Sequence, residues 1–142
     1  MKVLVSACLL GVKCKYNGGD NANERLRVFL EGCEAVPVCP ETAGGLPVPR
    51  CPAEIVGGVV MNAAGENVDA AFRRGAEACL ETAVRTEADL AVLQSRSPSC
   101  GVGQVYDGTF SGTLVPGNGV FAELLIRHGF RVVDVEALFG RD

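Results

Sequence analysis

The sequence predicts a layered α/β domain with a mostly parallel central sheet, on two observations. Short apolar runs end abruptly in loops of small residues, and segments with helical spacing lie between them. Val3, Leu4 and Val5 form the first run, which breaks into Ser6, Ala7, Cys8, Leu9, Leu10, Gly11 and then Cys14. A run of branched apolar residues feeding a small-residue turn is a buried-strand signal, and strands buried on both faces belong mostly to parallel sheets. Ligands in such sheets sit beyond the carboxyl ends of the strands. Cys8 and Cys14 therefore fall where an α/β protein keeps its chemistry.

Asn21 to Glu31 reads as a short helix, capped by Asn21 or Asn23, with Leu26, Phe29, Leu30 and Cys33 on one stripe. Ala35 to Val38 returns as a second strand and runs into Cys39, Pro40 and Glu41. Thr42 to Pro52 holds two glycines, three prolines and Arg50, a composition that predicts an ordered loop with little regular structure. Ile55 to Asn62 and Glu66 to Val68 read as a small hairpin around Ala63, Ala64 and Gly65. From Asp69 the period becomes helical, with Phe72, Ala76, Cys79, Leu80, Ala83 and Val84 on one face. Cys79 in that stripe reads as a small buried hydrophobe. Leu90 to Leu93 give a third strand, followed by Ser95 to Gly101 with Cys100 inside. A glycine-punctuated irregular stretch carries Tyr106, Asp107 and Ser111. Val120 to Arg127 forms a helix stopped by Gly129, Arg131 to Val135 a fourth strand, and Glu136 to Phe139 a last helical turn. Together these predict one domain over residues 1–142, a Rossmann-like three-layer fold with right-handed crossovers that gather the cysteine-bearing strand ends at one edge.

Composition narrows the function classes. A net charge of −4 and scattered basic residues offer a nucleic acid polymer no broad attraction, and the absence of tryptophan leaves no stacking platform for one. Val5 to Cys8 resembles a lipoprotein cleavage site, yet only Val3 to Val5 precede it as an apolar region, where a signal needs roughly 7–15 residues. No window approaches the roughly 18 apolar residues of a membrane span. A soluble, cytoplasmic protein is expected. Seven cysteines without a signal sequence argue for free thiols rather than a disulfide framework.

Each cysteine alone is a weak signal, for no C-x-x-C pair is present. Convergence of the three loops would bring Cys8, Cys39 and Cys100 to one point, with Cys14 and Cys51 in the same loops as further partners. Soft thiolates select zinc or iron–sulfur over magnesium or calcium. A cysteine nucleophile lacks its usual base, since the single histidine, His128, falls at a helix end as a cap or surface group. Glu41, directly after Pro40, is either a general acid/base or the partner of Arg50. Ser97 and Ser99 either donate to a ligand or cap the next turn, Asp107 reads chiefly as a turn residue, and Asp107 and Ser111 are placed on a third wall of the pocket. The alternatives left open are a noncatalytic zinc or iron store or sensor and a domain whose cysteines only pack.

The words SACLLG with Cys14, CPE at Cys39 to Glu41, GGLPVPR at Gly44 to Arg50, PAEI at Pro52 to Ile55, SPSCG at Ser97 to Gly101 and YDGTFSGTLVPGNGV at Tyr106 to Val120 resemble the DUF523 family, which includes bacterial 2-thiouracil desulfurases. The resemblance covers nearly the whole chain. It implies a [4Fe-4S] cluster held by Cys8, Cys39 and Cys100 with the fourth iron open to sulfur, a small thiolated heterocycle as substrate, and Glu41 and Ser97 as the catalytic pair. One departure is the short segment Val56 to Asn67, where the family is commonly longer. It bears on the substrate before it bears on the cluster.

Overall fold

The computed structural model describes residues 1–139. Four strands, β1 (Lys2–Ser6), β2 (Glu34–Val38), β5 (Leu90–Leu93) and β8 (Val132–Asp134), form one parallel sheet in the order β2-β1-β5-β8. β1 is central because all its middle residues are apolar: Val3, Leu4 and Val5 are fully buried. Leu4 pairs in register with Val36 on one side and Ala91 on the other.

Side-chain alternation along β1 divides the core in two. Leu4, with Ala91 and Leu93, packs on α3 (Asp69–Thr86) and α4 (Val120–Arg127) through Phe72, Ala76, Phe121 and Leu125. Val3, Val5 and Val92 pack the opposite way, on Leu26 and Leu30 at α1 (Glu24–Phe29) and on Val135 of α5 (Val135–Phe139). The expected three layers are present. Asn23 rather than Asn21 caps α1, its Oδ1 accepting from the Leu26 amide at 3.0 Å.

Three local expectations need correction. The hairpin of β3 (Ala53–Val56) and β4 (Val59–Asn62) turns at Gly57 and Gly58, which both have positive φ, as a two-residue hairpin loop requires. The anticipated turn at Ala63 to Gly65 is a second one, held by Asn62 Oδ1, which accepts from the amides of Ala64 and Glu66. Second, the glycine-rich stretch after Cys100 is not wholly irregular, for β6 (Gln104–Tyr106) pairs antiparallel with β7 (Leu114–Pro116). Third, the CPE word opens one helical turn, α2 (Pro40–Ala43), with Cys39 at its N-cap and Pro40 at the first position, where a missing N–H costs nothing.

From β1 the chain goes to β2 on one flank and later to β5 on the other, so the strand order reverses beside β1. Ligands gather outside the carboxyl ends at such a reversal. All three cysteine-bearing loops leave the sheet at those ends.

Candidate active site

β1 ends in a tight 3-10 turn, Ala7–Leu10, that carries Cys8 and is closed by Gly11 in the left-handed region. Cys39 follows β2 directly, and Cys100 sits in the turn after β5 that opens with Ser97. Cys8, Cys39 and Cys100, with Glu41 and Ser97, line one cavity of about 610 Å³. Burial raises the Cys8 thiol above its ordinary pKa, while the Asn21 amide, donating to its Sγ at 3.5 Å, lowers it. Burial also pushes Cys100 up, opposed by the neighbouring hydroxyls of Ser6 and Ser99, the latter with its Oγ 3.8 Å from the Cys100 Sγ. Desolvated thiols hold their protons until a cation arrives, and a coordinating metal deprotonates them outright.

None of the other four cysteines lines the cavity. Cys14 is buried beneath the loop, its thiol pushed up to about 12 by burial and by the neighbouring Cys39 and Cys8. Cys51 is exposed, and neither it nor Cys14 lines the cavity. Cys79 is buried in α3, as its stripe predicts, and burial raises its thiol to about 12. His128 is exposed at the end of α4, with Nδ1 2.9 Å from the Leu124 carbonyl.

Glu41 combines both roles open to it. Arg50 donates from Nε to its Oε1 at 3.1 Å and forms an ion pair with the same oxygen at 3.0 Å, with both side chains largely shielded from solvent. The other oxygen, Oε2, accepts from the Ser99 hydroxyl at 2.8 Å. Ser97 Oγ lies 2.9 Å from Ser99 Oγ and accepts from the amides of Ser99 and Cys100 at 3.1 and 3.0 Å. With its lone pairs so occupied, the Ser97 hydroxyl donates to Ser99, whose own proton goes to Glu41. The hydrogen bonds therefore run one way, from Ser97 to Ser99 to Glu41. Ser97 both caps its turn and lines the cavity.

The third wall differs from expectation. Tyr106, Phe110 and Gly112 line the cavity there, and Asp107 and Ser111 do not. Asp107 Oδ1 instead accepts from the amide and hydroxyl of Thr109 at 2.9 and 2.6 Å, a turn lock. Phe110 adopts φ +57, a conformation that costs a bulky residue about 1–3 kcal/mol. Lys15, Tyr16 and Arg96 line the same cavity, with Arg96 bridged to Val105 beside Tyr106. Arg96 is held by a two-pronged pair with Glu136 at 2.9 and 2.7 Å.

Sequence reasoning passed over Ser99 as the direct partner of Glu41, Asn21 as a donor to Cys8, and Phe110 as a wall residue. Only Ser99 and Asn21 carried a signal, as polar residues beside a candidate ligand or in its loop. Phe110 falls inside the word YDGTFSGTLVPGNGV, which does not single it out as a wall residue.

Fold and site together define a class: a Rossmann-like protein with a thiol-lined small-molecule site at the reversal point of its parallel sheet. The chain belongs to the 2-thiouracil desulfurase family, whose match spans residues 3–137. The Bacillus subtilis (strain 168) protein YbbK is 41% identical over 146 residues, covering 96% of this chain and 97% of that one. A solved structure of [4Fe-4S]-dependent thiouracil desulfidase TudS is 42% identical and superposes with a TM-score of 0.90, over 96% of this chain and 92% of that one.

Proposed function

We propose that this chain is an iron–sulfur-dependent desulfurase that replaces the sulfur of a thiolated heterocycle such as 2-thiouracil with oxygen from water. The observation that carries the reading is the arrival of Cys8, Cys39 and Cys100 at one cavity whose wall holds Glu41 in a fixed hydrogen-bond chain. Among the described residues no group of three or more His, Cys, Asp or Glu side chains is disposed to hold a single metal ion. Three thiols lining one cavity are a soft donor set of the kind that holds an iron–sulfur cluster. Cys8, Cys39 and Cys100 would hold a [4Fe-4S] cluster there as thiolates, and its iron would supply a soft Lewis acid matched to sulfur.

The protein supplies positioning and proton handling. Exchange of C=S for C=O by water moves no net electrons: the C=S bond gives way to C=O, the sulfur leaves as hydrogen sulfide, and the water gives up both its protons as its oxygen bonds to carbon. Glu41 accepts the first at Oε2, directly or through the hydroxyls of Ser99 and Ser97, and Arg50 keeps the carboxylate from turning away. Lys15, Tyr16 and Phe110 line the cavity that receives the planar substrate. All seven cysteines are free, and a reducing cytoplasm is the compartment we assign to them. Among the described residues no helix is long and apolar enough to cross a membrane.

Protein reconstituted anaerobically with iron and sulfide is expected to bind about four irons per chain, the content of the cluster named here. Cys8→Ala, Cys39→Ala and Cys100→Ala should each abolish this, and Cys79→Ala should retain it. Glu41→Gln should keep iron and sulfide while release of sulfur from 2-thiouracil falls by about 10²–10⁴. Full turnover by Glu41→Gln would remove the carboxylate from the reaction. Zinc without acid-labile sulfide would overturn the cofactor.

A further inference from the structure

We infer that Phe110 is the stacking surface for the flat ring of the substrate and thereby selects ring thiones over acyclic thio-compounds; this deepens the desulfurase reading and rests on it. The chain is poor in aromatic residues, with six phenylalanines, two tyrosines and no tryptophan. Both tyrosines, Tyr16 and Tyr106, nevertheless line the one cavity that carries the thiols, and Phe110 lines it with them.

Phe110 is not there to fill the core. It belongs to neither apolar cluster and leaves 39% of its surface exposed. Its backbone also occupies the left-handed region, which bulky residues avoid. Two features fix it against that preference. The Oε1 of Glu54, a buried carboxylate on β3, accepts the amides of Gly108 and Phe110 at 2.9 and 3.1 Å. The loop also lies so close to β3 that a Cβ on Gly108 would come within 2.7 Å of the Ile55 carbonyl. Beyond them a run of hydroxyls, Thr109 to Ser111 at 2.6 Å and Ser111 to Thr113 at 2.9 Å, stiffens the tip.

An exposed apolar ring held rigidly in an unfavourable conformation at a cavity mouth has no use in the free fold. A planar partner gives it one, because every heteroaromatic ring offers a face for stacking whatever its edge substituents. The thiols and Glu41 act on the edge of such a ring, and Phe110 receives its face.

The test uses uracil, a ring with no sulfur to bind iron, alongside 2-thiouracil and acyclic thiourea. On binding the wild-type chain, with and without reconstituted iron, the uracil H5 and H6 resonances should move upfield in the field of the aromatic ring. Phe110→Leu, which keeps apolar bulk, should lose that shift and weaken uracil binding by about 5- to 100-fold. It should raise KM for 2-thiouracil more than KM for thiourea and keep the wild-type iron content; Phe110→Tyr should restore the uracil shift. Unaltered uracil binding in Phe110→Leu, or no uracil binding by the wild-type chain, would overturn the assignment. A wild-type chain that stacks uracil but releases no sulfur from any of these compounds would sustain Phe110 as a ring-binding residue and defeat the desulfurase reading instead.

Discussion

Arg50 shows how one side chain can organise a site by joining its loops. Its Nε reaches Glu41, one terminal nitrogen donates to the Pro47 carbonyl at 3.1 Å, and the other donates to the Cys14 carbonyl at 2.9 Å. The guanidinium thus joins the proline-rich loop, the first cysteine loop and α2, a task its planar fork suits better than an ammonium. Replacing Arg50 with Met leaves Glu41 shielded from water and without its countercharge, and breaking one side of such a pair costs about 3–5 kcal/mol. Urea unfolding should record that loss, and Arg50→Lys should recover only part of it. Asp107 gives a prediction in pH. The Thr109 hydroxyl, then the Thr109 amide, hold its carboxyl below the ordinary value. A depressed folded pKa means that the contact is fully present above the unfolded carboxylate pKa and is lost as pH falls through the lower, folded one. The Thr109 amide resonance should therefore stay at its neutral-pH position as an unstructured aspartate protonates, and move only below that pH. A midpoint at the ordinary carboxylate pKa would show that the turn lock does not form in solution.

Among the elements, α2 and α3 make the contact on which the site's geometry depends. A Cβ on Gly75, in the middle of α3, would lie 1.7 Å from the Pro40 carbonyl oxygen, and one on Gly44 would lie 2.0 Å from that of Ala71. The helices touch backbone to backbone, and Arg74 clamps the contact by donating to the Gly44 carbonyl at 3.2 and 2.7 Å. Glycine to alanine inside an exposed helix normally gains about 1 kcal/mol. At Gly75 the sign reverses: Gly75→Ala should lower stability by about 1–3 kcal/mol or more and, by pushing α2 outward with Cys39 and Glu41, reduce iron retention on reconstitution. A rise in Tm with full iron content would refute the close approach. Nothing in the helical period of α3 reveals this, because Gly75 sits beside Ala76 in the stripe and the constraint comes from Pro40 and Gly44, in a distant part of the sequence. The hairpin turn was misplaced for a related reason. Ala63 to Gly65 and Gly57 to Gly58 are both turns, and only pairing with β3 decides which one closes the ladder. β6 and β7 have three residues each among glycines, too short for alternation to register.

For the molecule as a whole, the parallel sheet and its three cysteine-bearing ends were legible because they rest on periodicity and on the carboxyl-edge rule, which need no side-chain detail. The chain of Ser97, Ser99, Glu41 and Arg50 was not, since it joins three loops whose mutual placement exists only after folding. The two apolar layers close without help from any cofactor, each face of the sheet having its own buried cluster. Iron-free protein should therefore keep its far-UV circular dichroism, unlike small domains that fold only on metal, and reconstitution should raise Tm by mass action. Loss of the helical spectrum on iron removal would contradict this. The strand order has one more consequence, which concerns company rather than chemistry. Among the described residues no further strand pairs with β2 or β8 at the margins of the sheet, and an open margin invites another chain to add a strand. β8 has only three residues to offer. β2 has five, but one of them is Pro37, which has no N–H to present to a newcomer. Replacing Pro37 with Val would complete a flat, apolar template along that margin, and the variant should scatter light and form oligomers at concentrations where the parent chain stays clear.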